Sequence, residues 1–353
     1  MKKLLLLFFV LLYGLVDAQT LVSDNFSALN VGNIGTDVTG ATAGQGNYLT
    51  FNTTGGTNGG NSNYQIVTSS NVTYGKNLQI VGSDAGTGTR FMWKDGLNAL
   101  WGGRTAGNNI IEVEFDLFTG AASTSRNDFR VLIYSTEATP RIIAGLFLSK
   151  NATISAVDYV NVVRGLALAT SGTTTGLFSY GLGTAASPQI VFADNTWIRL
   201  GFSFNKTTGA LLFKGPGFNA SVAGAGTGLD TGEMDFVSAP GSAANTVSAS
   251  AAFDNYIIRA SSADTLLSVE AVTNVAQFSI SPNPTTDIVN ISSSENINVS
   301  DVSVADLNGR IVKQLKFNNI SNVQVNLSDL SAGMYMMSVT SDQGIATKKI
   351  IKN

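Results

Sequence analysis

Between Gln19 and about Ala260 apolar side chains recur at every second position, and no stretch of useful length carries a helical stripe. That period commits the chain to extended strands, because successive side chains alternate between the two faces of a strand. Residues 197–204 are the clearest case. Ile198, Leu200, Phe202 and Phe204 share one face; Trp197, Arg199, Gly201 and Ser203 share the other. A polar turn over Asn205–Gly209 then leads into a second run, Ala210–Lys214, completing a hairpin. Clusters of Gly, Asn, Thr and Ser separate the runs and supply turns. The fold class predicted is all-β and antiparallel. Gly32–Asn63 is so rich in Gly, Asn and Thr that it reads as long loops over the sandwich.

The N-terminus has a different pattern. Lys2 and Lys3 precede an apolar run from Leu4 to Leu12, and Val16-Asp17-Ala18 offers small residues to a signal peptidase. Residues 1–18 read as a signal peptide cleaved after Ala18. An anchor would need about 20 apolar residues, and later apolar stretches are shorter still, so no membrane span is expected in the mature chain. Hydrophobic residues make up 44% of the chain, which points to a packed protein rather than a disordered one. There is no Cys, which excludes disulfides, thiol chemistry and a lipoprotein anchor. There is no His, which excludes Ser-His-Asp and Cys-His catalysis and His-ligated zinc. A net charge of -3 without charged blocks implies neither nucleic acid nor an anionic membrane as partner. Carboxylates, Lys, Tyr and backbone remain for chemistry, with a hard cation held through oxygen.

A polar stretch, 261–277, reads as a linker to a separate unit at 278–353. Six or seven short alternating runs follow, with Asn308-Gly309 as a strong hairpin signal between two of them, and together they predict a small sandwich. Four motifs occur in order: 278–287 around Pro282-Asn283-Pro284, 304–310 with Asp306, Asn308 and Gly309, 330–335 with Gly333 and Tyr335, and a basic end with Lys348 and Lys349. This succession resembles the type A C-terminal sorting domain of the type IX secretion system, a family confined to the Bacteroidota. The resemblance implies a small immunoglobulin-like β-sandwich, the type IX machinery as partner, and a secreted or outer-membrane-surface location.

Residues 19–260 then form the exported cargo. The hairpin at 197–214, with Asp24-Asn25-Phe26 near the start and Phe253-Asp254-Asn255-Tyr256 near the end, resembles concanavalin A-like and laminin-G-like domains. A jelly-roll-like antiparallel β-sandwich is what that resemblance implies. A pair of immunoglobulin-like sandwiches is the alternative, against which stands the lack of a break at the midpoint.

Candidate chemistry centres on Ile110–Phe118, where Glu112, Glu114 and Asp116 fall at every second position and share one strand face. Laminarinase-like glycoside hydrolases carry two Glu flanking an Asp at this spacing; here the order is Glu, Glu, Asp. Two functions stay open. One is a non-catalytic binding protein, glycan-binding or adhesin-like, whose open face unites Glu112, Glu114, Asp116, Arg130, Tyr134, Trp197 and Arg199. The other is a hydrolase using Glu112 and Glu114. The bland reading is a solvated row of acids paired with Arg130 or Arg199. Asp24, Asp254 and Asn255 offer oxygen ligands for a structural calcium, although turns and caps are the commoner use of these residues. Trp93 and Trp101 either line a binding loop or anchor a sandwich edge. Asp264-Thr265-Leu266 resembles the three-residue O-glycosylation site of Bacteroidota, placed in the linker where access is easiest.

Overall fold

The computed structural model describes residues 18–69, 71, 73–267, 278–293, 298–306, 310–320, 322–341 and 344–353. Residues 1–17 of the expected signal peptide, residues 268–277 of the expected linker and the Asn308-Gly309 hairpin signal lie outside the described residues. The chain divides into two compact units, Met1–Ser268 and Val269–Asn353.

The first unit is a jelly-roll sandwich. Its strands run β1 (Gln19–Asp24), β2 (Gly32–Asn33), β3 (Tyr48–Asn52), β4 (Tyr64–Thr68), β5 (Lys76–Val81) and β6 (Arg90–Lys94). After a six-residue helix, α1 (Leu97–Gly102), come β7 (Ile110–Phe118), β8 (Asn127–Ser135), β9 (Ile142–Ile154), β10 (Val157–Ser171) and β11 (Thr174–Gly181). The unit closes with β12 (Ile190–Val191), β13 (Trp197–Asn205), β14 (Ala210–Gly215), β15 (Phe218–Ala223), β16 (Thr231–Pro240) and β17 (Ser250–Ser261). Sheet A has the order β15-β14-β13-β7-β17-β5-β4-β2, and β1 joins it on β17. Sheet B has the order β11-β10-β9-β8-β16-β6-β3, with β12 on β10.

The two inner faces meet in one core. Phe115 and Phe253 from sheet A pack with Phe129 and Phe236 from sheet B, and the Phe236 and Phe253 rings lie 5.0 Å apart. Alternation accounts for this directly, since Ile198, Leu200, Phe202 and Phe204 all enter the core from β13. Gly32–Asn63 is less loop-like than its composition predicts: it supplies β2 to sheet A and β3 to sheet B, with Tyr48 buried. The short Tyr48–Asn52 alternation is hidden among glycines, which is why composition alone misreads it.

In the second unit seven strands are described: β18 (Phe278–Ser281), β19 (Ile288–Ser293), β20 (Val299–Ala305), β21 (Ile311–Ile320), β22 (Asn322–Asn326), β23 (Gly333–Ser341) and β24 (Gly344–Lys352). They form a three-stranded sheet, β18-β19-β22, and a four-stranded one, β21-β20-β23-β24, around Val289, Val302, Val325, Met337 and Ile350. Asp306 accepts the Arg310 N–H at 3.0 Å, and the Tyr335 hydroxyl donates to the Ser331 carbonyl at 2.9 Å. Gly333 opens β23 opposite Lys352, while Lys348 and Lys349 are exposed on β24.

The first and last of the four C-terminal motifs meet. Asn283, between Pro282 and Pro284, accepts the Ile351 N–H at 2.9 Å and donates its amide to the Lys349 carbonyl at 2.8 Å. Thr285 continues the pairing, giving its N–H to the Ile351 carbonyl at 2.9 Å and taking that of Asn353 at 2.8 Å. The Asn283 side chain thus stands in for a neighbouring strand. Asn283→Ala should remove both bonds and destabilise this unit by about 1–3 kcal/mol. Faster hydrogen exchange at the Ile351 amide, with the first unit unchanged, is the expected reading; an unchanged rate would refute the clamp.

Candidate functional site

Strand β7 runs through the middle of sheet A, between β13 and β17. Ile111, Val113, Phe115 and Leu117 enter the core, so Glu112, Glu114 and Asp116 share the outer face, as the alternation predicts. That face is not open. Glu112 is 0% exposed, Glu114 6% and Asp116 7%. Carboxylates so placed must be paired or neutral, because burial penalises the charge. Glu112 accepts both the N–H and the hydroxyl of Thr265. Glu114 accepts Nη2 of Arg199 at 3.0 Å, Nη1 of Arg259 at 2.8 Å and the Leu267 N–H at 3.0 Å. Asp116 accepts the Asn255 amide at 2.8 Å and lies 3.5 Å from Nη1 of Arg199. Burial still raises the pKa of Glu112 and Asp116 above the usual carboxylate range. Asp254, directly opposite Asp116 on β17, is pushed up to about 7 by burial, and the charges of Asp116 and Asp24 add to the shift.

The cover over this face comes from residues expected in the linker. Ser261 is the last residue of β17, and residues 262–267 then lie across the acids as a strap. Ser203 Oγ donates to Asp264 at 2.5 Å, and Lys214 Nζ donates to the Leu266 carbonyl at 2.8 Å. Leu266 is fully buried. Its seat exists because residue 201 is glycine: a Cβ there would stand 2.7 Å from Leu266 Cδ1. Thr265, the residue resembling a glycosylation acceptor, is therefore not on an accessible linker; its hydroxyl is held by Glu112 at 2.7 Å. A glycosidase needs two carboxyl groups about 5–10 Å apart and open to substrate. Glu112 under its strap does not provide one.

The binding face expected from the sequence divides between two sides of the sandwich. Trp197 and Arg199 do lie with the acids, and the Trp197 ring stacks on Tyr74 with centroids 3.9 Å apart and 12° between planes. Arg130 and Tyr134 lie elsewhere. They belong to β8 in sheet B, and with Phe129, Val131 and Ile133 turned inward they face out of the opposite side. The ion-pair partner of Arg130 is Asp128, not the acids of β7.

The proposed calcium ligands are also committed to protein partners. Asp24 accepts the Phe26 N–H at 2.8 Å and the Tyr48 hydroxyl at 2.9 Å, Asp254 accepts the Asn255 N–H at 2.8 Å, and the Asn255 amide serves Asp116. Among the described residues no three acidic side chains are grouped to hold a metal. Trp101 is an anchor: it is buried in α1, donates to Asp230 at 2.9 Å and lies under the Arg104 guanidinium at 3.8 Å. Trp93 borders an apolar crevice of about 320 Å³ beside α1, with Tyr48, Leu97 and Met234.

The outer face of sheet B carries a polar groove of about 520 Å³. Four adjacent strands build it: β8 gives Asp128 and Arg130, β9 gives Phe147, Ser149 and Asn151, β10 gives Arg164 and Leu166, and β11 gives Leu177 and Ser179. Arg126 and Ser242 stand at its edge. Asp128 takes Nη2 of Arg130 at 2.7 Å and the Ser149 hydroxyl at 2.5 Å, so both its oxygens are occupied. Nε of Arg130 and Nε of Arg164 are buried without a partner. A shallower depression of about 490 Å³ beside the strap is bordered by Glu114, Arg199 and Lys214, whose charges are already paired. Of the groove residues the sequence reading singled out Arg130 alone. The signal it passed over is alternation itself, which puts Asp128 and Arg130 on one side of β8, with Arg126 in step just before it, as it does Phe147, Ser149 and Asn151 on β9.

Residues 279–353 match the family described as the secretion system C-terminal sorting domain. No curated protein matches the chain. Solved structures similar to it include the CBM2 module of the Lactobacillus casei BL23 phage J-1 evolved Dit, 10% identical, covering 70% of this chain and 98% of that one with a TM-score of 0.36. The cellulose-induced protein Cip1 is 11% identical over 67% of this chain and 96% of its own, with a TM-score of 0.38. An alginate lyase from Pseudomonas aeruginosa, PA1167, is 10% identical over 52% of this chain and 82% of its own, with a TM-score of 0.33.

The strap and the acids under it make two predictions. A chain ending at Leu267 should be more stable to urea than one ending at Ala260 by about 2–4 kcal/mol, from the burial of Leu266 and the bonds to Glu112. Equal midpoints would mean the strap contributes nothing. The second concerns Asp254, whose folded pKa of about 7 lies above its unfolded value. Above the unfolded pKa the unfolded chain gives up this proton more readily, so stability falls as pH rises and levels off past pH 7. Asp254→Asn should therefore raise Tm at pH 8 and much less at pH 4.5; an equal change at both would count against it.

Proposed function

We propose that this chain, whose C-terminal unit is a type IX sorting domain and which is therefore exported to the cell surface or secreted, carries in its first unit a non-catalytic module that binds an extracellular glycan in the sheet B groove. One observation carries the reading. Of the two outer faces, that of sheet A has its carboxylates buried and paired under the strap, whereas that of sheet B presents an open polar groove lined by three arginines and one carboxylate. The groove combines what sugar recognition uses. Phe147, Leu166 and Leu177 supply an apolar floor for C–H faces, while Arg130, Arg164 and Ser149 supply charged and hydroxyl partners for the ring substituents.

A glycan array probed with the mature chain tests this. Ser179 is exposed on β11 at the groove wall, so Ser179→Trp should obstruct the groove without disturbing the core. Affinity for any array ligand should fall at least about tenfold in Ser179→Trp, or about 1.4 kcal/mol. Trp197→Ala, on the other side of the sandwich, should leave it unchanged. The reverse pattern would place binding on sheet A.

A further inference from the structure

We infer that the glycan taken by the sheet B groove is anionic, with its carboxylate or sulfate groups held by Arg126, Arg130 and Arg164; this rests on the reading of the groove as a glycan site and specifies its ligand. The charge balance of the groove is the first reason. Its lining holds three arginines and a single carboxylate, Asp128. Asp128 cannot neutralise the set, because it carries one negative charge against three positive ones and is itself paired with Arg130. This surplus is local, since the whole chain carries 21 Lys and Arg against 24 Asp and Glu. A basic patch on a net-negative protein is not a by-product of its composition.

Hydrogen-bond accounting is the second reason. A guanidinium has five N–H donors and no acceptor, and buried donors are normally satisfied. Nε of Arg130 and of Arg164 are buried without partners. Nη2 of Arg164 makes a long bond, 3.4 Å, to the Ser179 carbonyl. Burial also lowers the pKa of Arg164, opposed by the charge of Asp128. A carboxylate or sulfate in the groove brings the missing charge, and it meets the Nη side of a guanidinium with two parallel bonds. A neutral hydroxyl brings an acceptor and leaves the charge unbalanced.

The extent of the groove is the third reason, and it favours a chain over a single small anion. Arg130 on β8 and Arg164 on β10 are separated by β9, and the groove continues to β11. Three inter-strand spacings of about 4.8 Å make roughly 14 Å across. Between the arginines, Phe147 lies with its ring 5.7 Å from the Arg130 guanidinium, so an apolar surface alternates with charge along the groove.

The test uses the full mature chain and three defined probes: oligogalacturonate for carboxylates, dextran sulfate for sulfate esters, and unmodified dextran as the neutral control. Titration calorimetry should show binding to one of the two acidic probes, weakened in 0.5 M salt, and none to dextran. Arg126→Gln and Arg164→Gln should each weaken it at least about tenfold, as expected for a hydrogen bond to a charged group. Arg199→Gln, on sheet A, should leave it unchanged and so exclude general attraction of polyanions. Arg164→Lys guards against misfolding: it keeps the charge but not the fork, and intermediate loss is expected. Which acidic probe binds identifies the anion. If neutral glycans bind as well as acidic ones and Ser179→Trp still blocks them, the anionic assignment is wrong while the groove remains a glycan site. If no probe binds and no array glycan does either, both fall.

Discussion

Strand β7 meets two opposite demands on one backbone, and much of the first unit is arranged around them. Its inner side puts Ile111, Val113, Phe115 and Leu117 into the core, which places β7 in the centre of sheet A with strands on both flanks. The pleat then sends Glu112, Glu114 and Asp116 to the middle of the outer face, far from an edge where water would reach them freely. Each must find compensation there or lose its charge. Arg199 from β13, Arg259 from β17, Asn255 at the irregularity in β17 and the strap from 262–267 all converge on this row. Even Gly201 belongs to the arrangement, since its missing side chain is the space that Leu266 fills.

Sealing one face leaves the other as the more open polar surface. Sheet A spends its charged groups on one another, and ion pairs so satisfied have little left to offer a ligand. Sheet B spends fewer. In the groove over β8 to β11, Asp128 is the one lining carboxylate beside three arginines.

The strap is the last described segment of the first unit. Its last described residue, Leu267, is bonded to Glu114, and the second compact unit begins at Val269. Separation of the two units beyond Leu267 leaves the strap with the first. In the second unit, motifs at opposite ends of the sequence meet through Asn283 and the backbone of β24. Their joint occurrence has a mechanical basis, because the Asn283 amide substitutes for a strand that the sheet lacks at that point.

The sequence by itself was enough for everything that depends on one strand at a time. Period-two alternation sorted the faces of β7 and β13, and the order of four motifs marked the C-terminal unit. What it could not decide is which strands lie side by side. Alternation separates inside from outside but is blind to which of two sheets a strand joins. That is why Arg130 and Tyr134, expected beside Glu112, Glu114 and Asp116, stand on the far side of the sandwich. It is also why residues 262–267 read as linker. Their polar composition is that of an exposed loop, and only the buried carboxylates beneath them, brought there by pairing across β13, β7 and β17, turn Thr265 and Leu266 into structure. The groove likewise exists only through the lateral order β8-β9-β10-β11, which gathers three arginines spread over residues 126–164 onto one surface.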